Sequence, residues 1–124
     1  MNSKVFLVVR ILLGLMLLVF GLNKFFQFLP MGEMPEAAGN YFAALSSTHT
    51  MTLVAIVEVL AGLALILNKF GALMSLILMS VSVNAVLFHM ALAPEGLPPA
   101  LALLVLNLLA LVGYKDKYRD LLKG

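Results

Sequence analysis

The sequence predicts an all-α fold: an integral membrane four-helix bundle, one domain over residues 1–124, with both termini cytoplasmic and a short interfacial helix between spans one and two. Three observations predict it. The chain is 63% hydrophobic and only 11% charged, against about 25% charged in a typical soluble domain. Its mean hydropathy is +1.09, more apolar surface than 124 residues can hide from water. The apolar residues gather into four long runs, separated by stretches that hold all five prolines, and most of the charges lie in those stretches and in the tail after the last run. The solvent for such a chain is lipid.

Span one is expected over 5–25. From Val5 to Leu22 the only ionisable side chain is Arg10, and a run of about 18 residues rising about 1.5 Å each nearly matches a hydrocarbon core about 30 Å thick. Lys4 followed by an apolar run resembles a secretory leader, but the run exceeds a leader's apolar region and no A-x-A-like cleavage site follows, so an uncleaved span is expected. At about 100° per residue, Arg10, Gly14, Leu17, Gly21, Lys24 and Phe28 share one sector. Two glycines on the face that carries both charges point it into the bundle, because small residues let helices approach closely in lipid.

Pro30, Gly32 and Pro35 are expected to end that helix, and Pro35 with Glu36 reads as a fresh helix start. Tyr41, Phe42 and Leu45 recur at helical spacing, which predicts a surface helix over 36–45 that caps the polar end of span one. Ser46-Ser47-Thr48 closes it and offers N-cap hydroxyls to the next helix.

Span two, over 51–67, contains a single charge, Glu58, roughly 10 Å below the membrane edge. At that depth a carboxylate must be neutralised, paired or placed beside water. Ala55 and Gly62 share its side of the helix. Asn68-Lys69-Phe70-Gly71 has room only for a turn, so spans two and three form an antiparallel hairpin. Span three, over 72–92, carries Ser75, Ser82 and His89 along one seam and Ser80 with Asn84 on another, which predicts a central position between partners. Pro98 and Pro99 suit the first turn of span four, over 100–114, which is interrupted only by Asn107 and Gly113 and followed by a basic tail. With both termini inside, seven basic residues are cytoplasmic, whereas Lys24 stands outside with Glu33, Glu36 and Glu95.

Counting inward from the outer edge brings Asn23, Lys24, Glu58, Asn84 and His89 into the outer half of the bundle, as a candidate ligand-binding cluster. Glu58 is the strongest member, since an acid inside a span marks a functional site by default. A helix-end lysine such as Lys24 also snorkels to headgroups without any function. Asn84 and Asn107 are expected to hydrogen-bond between helices. Arg10 is read as a structural charge that snorkels or offsets a buried acid.

Much chemistry is excluded. The absence of cysteine removes disulfides, thiol redox chemistry, thiolate metal sites and covalent haem attachment. His49 and His89 alone make no tetrahedral metal set, and their spacing matches no haem motif. There is no Gly-rich phosphate loop, no nucleophile signature and no nucleic-acid patch.

The elements Arg10-x-x-x-Gly14, Gly21-Leu22-Asn23-Lys24-Phe25-Phe26-x-Phe28-x-Pro30, Tyr41-Phe42-x-x-Leu45, Glu58-x-x-x-Gly62 and Asn84-x-x-x-Phe88-His89 follow one another in an order that resembles the DoxX family of small bacterial four-helix membrane proteins. The resemblance implies four spans, the bacterial inner membrane and redox roles. Family namesakes resemble subunits of a thiosulfate:quinone oxidoreductase, and other relatives are linked to oxidative-stress complexes. The missing cysteines argue against a sulfur relay through a protein thiol. The leading expectation is a small binding subunit whose outer pocket takes a quinone or another amphipathic molecule, with Lys24 and His89 bonding its oxygen and Glu58 handling protons. Its partners would be the lipid bilayer, a membrane or periplasmic redox protein, and a second copy in a homo-oligomer. The alternatives are a scaffold or assembly protein and, more weakly, a transporter of a small solute or protons.

Overall fold

The computed structural model describes residues 1–29 and 34–124. Five α-helices follow in order: α1 Ser3–Phe26, α2 Glu36–Ser47, α3 Thr50–Leu67, α4 Gly71–Ala91 and α5 Leu97–Gly113. Single 3-10 turns occupy Pro94–Gly96 and Lys115–Tyr118. Four helices are long and apolar enough to cross a membrane, α5 counting together with the turn before it. The spans expected from the sequence agree with them within a few residues.

The long helices close a ring in which α1 packs on α3, α3 on α4, α4 on α5 and α5 back on α1, while α2 leans on α3. Leu13, Leu17, Leu65 and Leu78 meet at the centre with no exposed surface. Val8, Leu12, Leu53, Leu87 and Val105 point outward, an arrangement that water penalises and acyl chains accept.

Close approach of α1 and α3 organises the rest. Gly14 and Gly62 face one another, and a methyl carbon added to either would stand within 2.9 Å of the other's carbonyl oxygen. Two turns further along α1, Gly21 lies against Ala55, Glu58 and Val59. In lipid, helices are held by dispersion contacts and hydrogen bonds rather than by water exclusion, so backbone proximity at these glycines contributes directly to association. The sector predicted for α1 holds at Gly14, Leu17 and Gly21, all buried, and fails at Phe28, which lies beyond the helix and is exposed.

Other details differ from expectation. Pro30, Gly32 and Glu33 lie outside the described residues, and α1 has already ended at Phe26, with Gln27 left-handed and its N–H donating to Asn23 O. The hydroxyls of Ser47 and Thr48 turn back to Ala44 O, at 3.0 and 2.9 Å, so they finish α2 instead of opening α3. The N-cap of α3 is His49, whose side chain makes no capping bond. A hydroxyl there reaches a carbonyl one turn behind it as readily as an amide ahead.

At the other end, Arg10 Nη1 donates to Leu65 O at 2.9 Å. This carbonyl belongs to the last turn of α3, where helix acceptors lack intrahelical partners and the dipole favours a cation. Arg10 thus meets a helix terminus and not a buried acid.

Candidate functional site

The site begins with the glycine contact of α1 and α3. Lys24 lies one turn beyond Gly21, and Glu58 lies beside the α3 residues that Gly21 touches, so the two side chains converge. Lys24 Nζ is 2.6 Å from Glu58 Oε1; Glu58 is 3% exposed and Lys24 27%. The flexible lysine stem crosses from the helix end to a buried acid in the wall.

This pair lines a cavity of about 370 Å³ to which all five helices contribute, α5 through Leu103 alone. Met51, Val54, Val81 and Leu103 form apolar walls, and Asn84 and His89 join Lys24 and Glu58 as polar groups. Tyr41 and Phe42 of α2 cover one side, with ring centroids 5.0 and 4.9 Å from that of Phe88 on α4. Helical spacing brings these aromatics to one face, but only the fold sets them against Phe88.

Four of the five predicted residues thus share one cavity, and Asn23 does not. Its Oδ1 accepts from Leu29 N at 2.7 Å and braces the chain as it leaves α1. Its amide is turned to the chain leaving α1, while the side chain of its neighbour Lys24 reaches the cavity. Asn84 lines the cavity, yet its Nδ2 donates to Ser80 O of its own helix at 2.7 Å, not to another helix. The interhelical bond expected of asparagine belongs to Asn107. It accepts from Ser82 Oγ at 2.7 Å and donates to Ser75 O at 3.0 Å, a buried clasp between α4 and α5. His49 is not among the cavity residues.

His89 Nδ1 lies 3.0 Å from Ala93 O. A carbonyl oxygen only accepts, so Nδ1 carries a proton, and Nε2 is the ring nitrogen left to face a ligand. The ring also rests on Gly96, where any side chain would collide with it.

A family model described as DoxX matches residues 5–91, well over half of the chain. The chain belongs to the DoxX family. The match takes in α1 to α4 and every residue of the cavity except Leu103; α5 and the basic tail lie beyond it. No curated protein and no solved structure matches the chain.

In this DoxX protein the cavity offers a cationic donor at Lys24, an anionic acceptor at Glu58, the imidazole Nε2 of His89 and an amide at Asn84, set among apolar and aromatic walls. That array suits a ligand with a polar oxygenated head and an apolar remainder.

Proposed function

We propose that this DoxX protein is a small binding subunit of the bacterial inner membrane whose cavity accepts a quinone or a similar amphipathic molecule in support of membrane redox processes. Both termini are cytoplasmic in this reading, which places the cavity in the outer half of the bilayer beneath α2 lying along the surface. The observation that carries it is the Lys24–Glu58 pair, set at 2.6 Å in the wall of a largely apolar cavity of about 370 Å³. Such a pair is costly in lipid unless something polar uses it. Lys24 Nζ donates to a carbonyl oxygen of the head, His89 Nε2 accepts from the hydroxyl of the reduced form, Glu58 holds or returns a proton, and Phe88, Tyr41 and Val54 pack on the ring and the start of its tail.

The test is ligand retention by the protein purified from membranes, followed by a melting shift with added quinone. The expected result is co-purifying quinone and a raised melting temperature, both lost in Glu58→Gln and reduced in His89→Phe. If quinone neither co-purifies nor shifts the melt, and Glu58→Gln changes only folding or recovery with other membrane proteins, the chain is a scaffold. Proton flux in proteoliposomes that depends on Glu58 would assign it to transport instead.

A further inference from the structure

The opposite end of the bundle carries a second cavity, of about 520 Å³, for which the quinone reading has no use. It lies between Phe6 of α1, the turn joining α3 to α4, the first turn of α4, and the chain from Gly113 to Lys117. Two phenols fix this frame. Tyr114 Oη donates to Asn68 Oδ1 and Tyr118 Oη to Ala72 O, both at 2.7 Å. The Phe6 and Tyr114 rings stand edge to face at 4.8 Å. The shape therefore comes from cross-links between three separate segments, not from one loop.

Its chemistry is two-sided. Phe6, Phe70 and Leu73 supply apolar wall, whereas Asn68, Asp116 and Lys117 supply polar rim. Lys69 and Lys115 adjoin the lining residues in sequence, and with Lys117 they are exposed and have no ion-pair partner among the described residues. The rim carboxylate, Asp116, is engaged by Arg119 Nη2 at 3.3 Å, which leaves the three ammonium groups uncompensated. Beside them Phe70 is 79% exposed, and Leu121 and Leu122 are exposed too. Large apolar side chains next to unpaired lysines at the end of a lipid-facing bundle fit the level where acyl chains meet headgroups.

We propose that this cavity binds one acidic phospholipid, its phosphodiester held by Lys69, Lys115 and Lys117 and its first methylenes resting on Phe6, Phe70 and Leu73. A zwitterionic lipid carries its own cation and gains little from that rim. Free phosphate lacks the apolar part and leaves the walls unused. Each lysine close to an anionic lipid contributes about fivefold in binding, so all three together give a preference on the order of 100-fold. The site draws on the basic tail, beyond the stretch matched by the family model, and shares no residue with the outer cavity, so it stands or falls apart from the quinone reading.

Native mass spectrometry of the full chain released from nanodiscs of equal phosphatidylglycerol and phosphatidylcholine tests it. The expected result is one phosphatidylglycerol retained per chain, with retention lowered on the order of 100-fold when Lys69, Lys115 and Lys117 all become Gln. Leu73→Trp fills the cavity while keeping every charge, and Leu73 is half exposed, so the core is untouched; it too should lose the lipid, and Lys4→Gln should not. Equal retention of both lipids, full binding by Leu73→Trp, or displacement of the lipid by inorganic phosphate would each overturn the assignment: the first two leave only a diffuse basic surface, and the third a free-anion site.

Discussion

Lys24→Met strips Glu58 of its counter-ion while keeping most of the side chain's volume. Glu58 is 3% exposed, its Oε1 is 2.6 Å from Lys24 Nζ, and no other described residue bonds its carboxylate. Removing one partner from a buried pair costs about 3–5 kcal/mol, whereas a fully exposed pair is worth about 0.2–1 kcal/mol. Lys24 is 27% exposed, so the pair lies between those limits, and a loss of roughly 2–4 kcal/mol is expected. Glu58→Gln in the Lys24→Met background removes the second charge and should recover most of the loss. The assay is reversible unfolding in mixed micelles, followed by helicity, for the wild type, both single variants and the double variant. Additivity of the single effects within about 0.5 kcal/mol would mean that the two side chains do not meet, and the reasoning about the site would fail with it.

Other outcomes follow from the same contacts. Gly21→Ala places a methyl group 2.9 Å from Val59 Cγ2 and 3.2 Å from Ala55 O, and should destabilise by about 1–3 kcal/mol in the same unfolding assay. Gly39→Ala, in α2 with nothing within 4 Å, should be neutral or stabilise by about 0.5–1 kcal/mol through helix propensity. Ser82→Ala breaks the bond to Asn107 and should cost about 0.6–1.7 kcal/mol; Ser75→Ala deletes a buried hydroxyl that has no partner among the described residues, and should be neutral or stabilising. The Tyr118 phenol is pushed up to about 12 by burial and by neighbouring Tyr114. Being higher in the folded state than in the unfolded one, it contributes stability that is present below about pH 10 and lost as pH rises towards 12. Phenolate absorbance should show the late titration, and Tyr118→Phe should remove that share of the alkaline loss.

The spans were legible because lipid imposes a length and an apolarity that few other environments demand, and Leu13, Leu65 and Leu78 fill the centre those runs predict. Glu58 was legible for the same reason, since an acid in an apolar run has no bland explanation. Depth along the helix does not by itself place Asn23 in the cavity: its neighbour Lys24 turns inward, and the amide turns to the departing chain. Asn84 bonds within α4 to the carbonyl four residues back, whereas Asn107 faces Ser75 and Ser82 of α4 and bonds across to them. The cover of Tyr41 and Phe42 on Phe88 and the bonds from Tyr114 and Tyr118 to the α3–α4 turn depend on which helix ends meet. One signal for the latter was present: two tyrosines four residues apart, just past a span whose end must lie beside that turn.

Labelling with a photoreactive quinone in native membranes, with the adducts mapped by peptide mass spectrometry, addresses the central claim most directly. The account predicts adducts at Met51, Val54, Phe88 and their cavity neighbours, suppressed by excess unmodified quinone and absent in Glu58→Gln. Adducts scattered over outward-facing residues such as Leu12, Leu53 and Val105, unchanged by competitor or by the Glu58 variant, would contradict it.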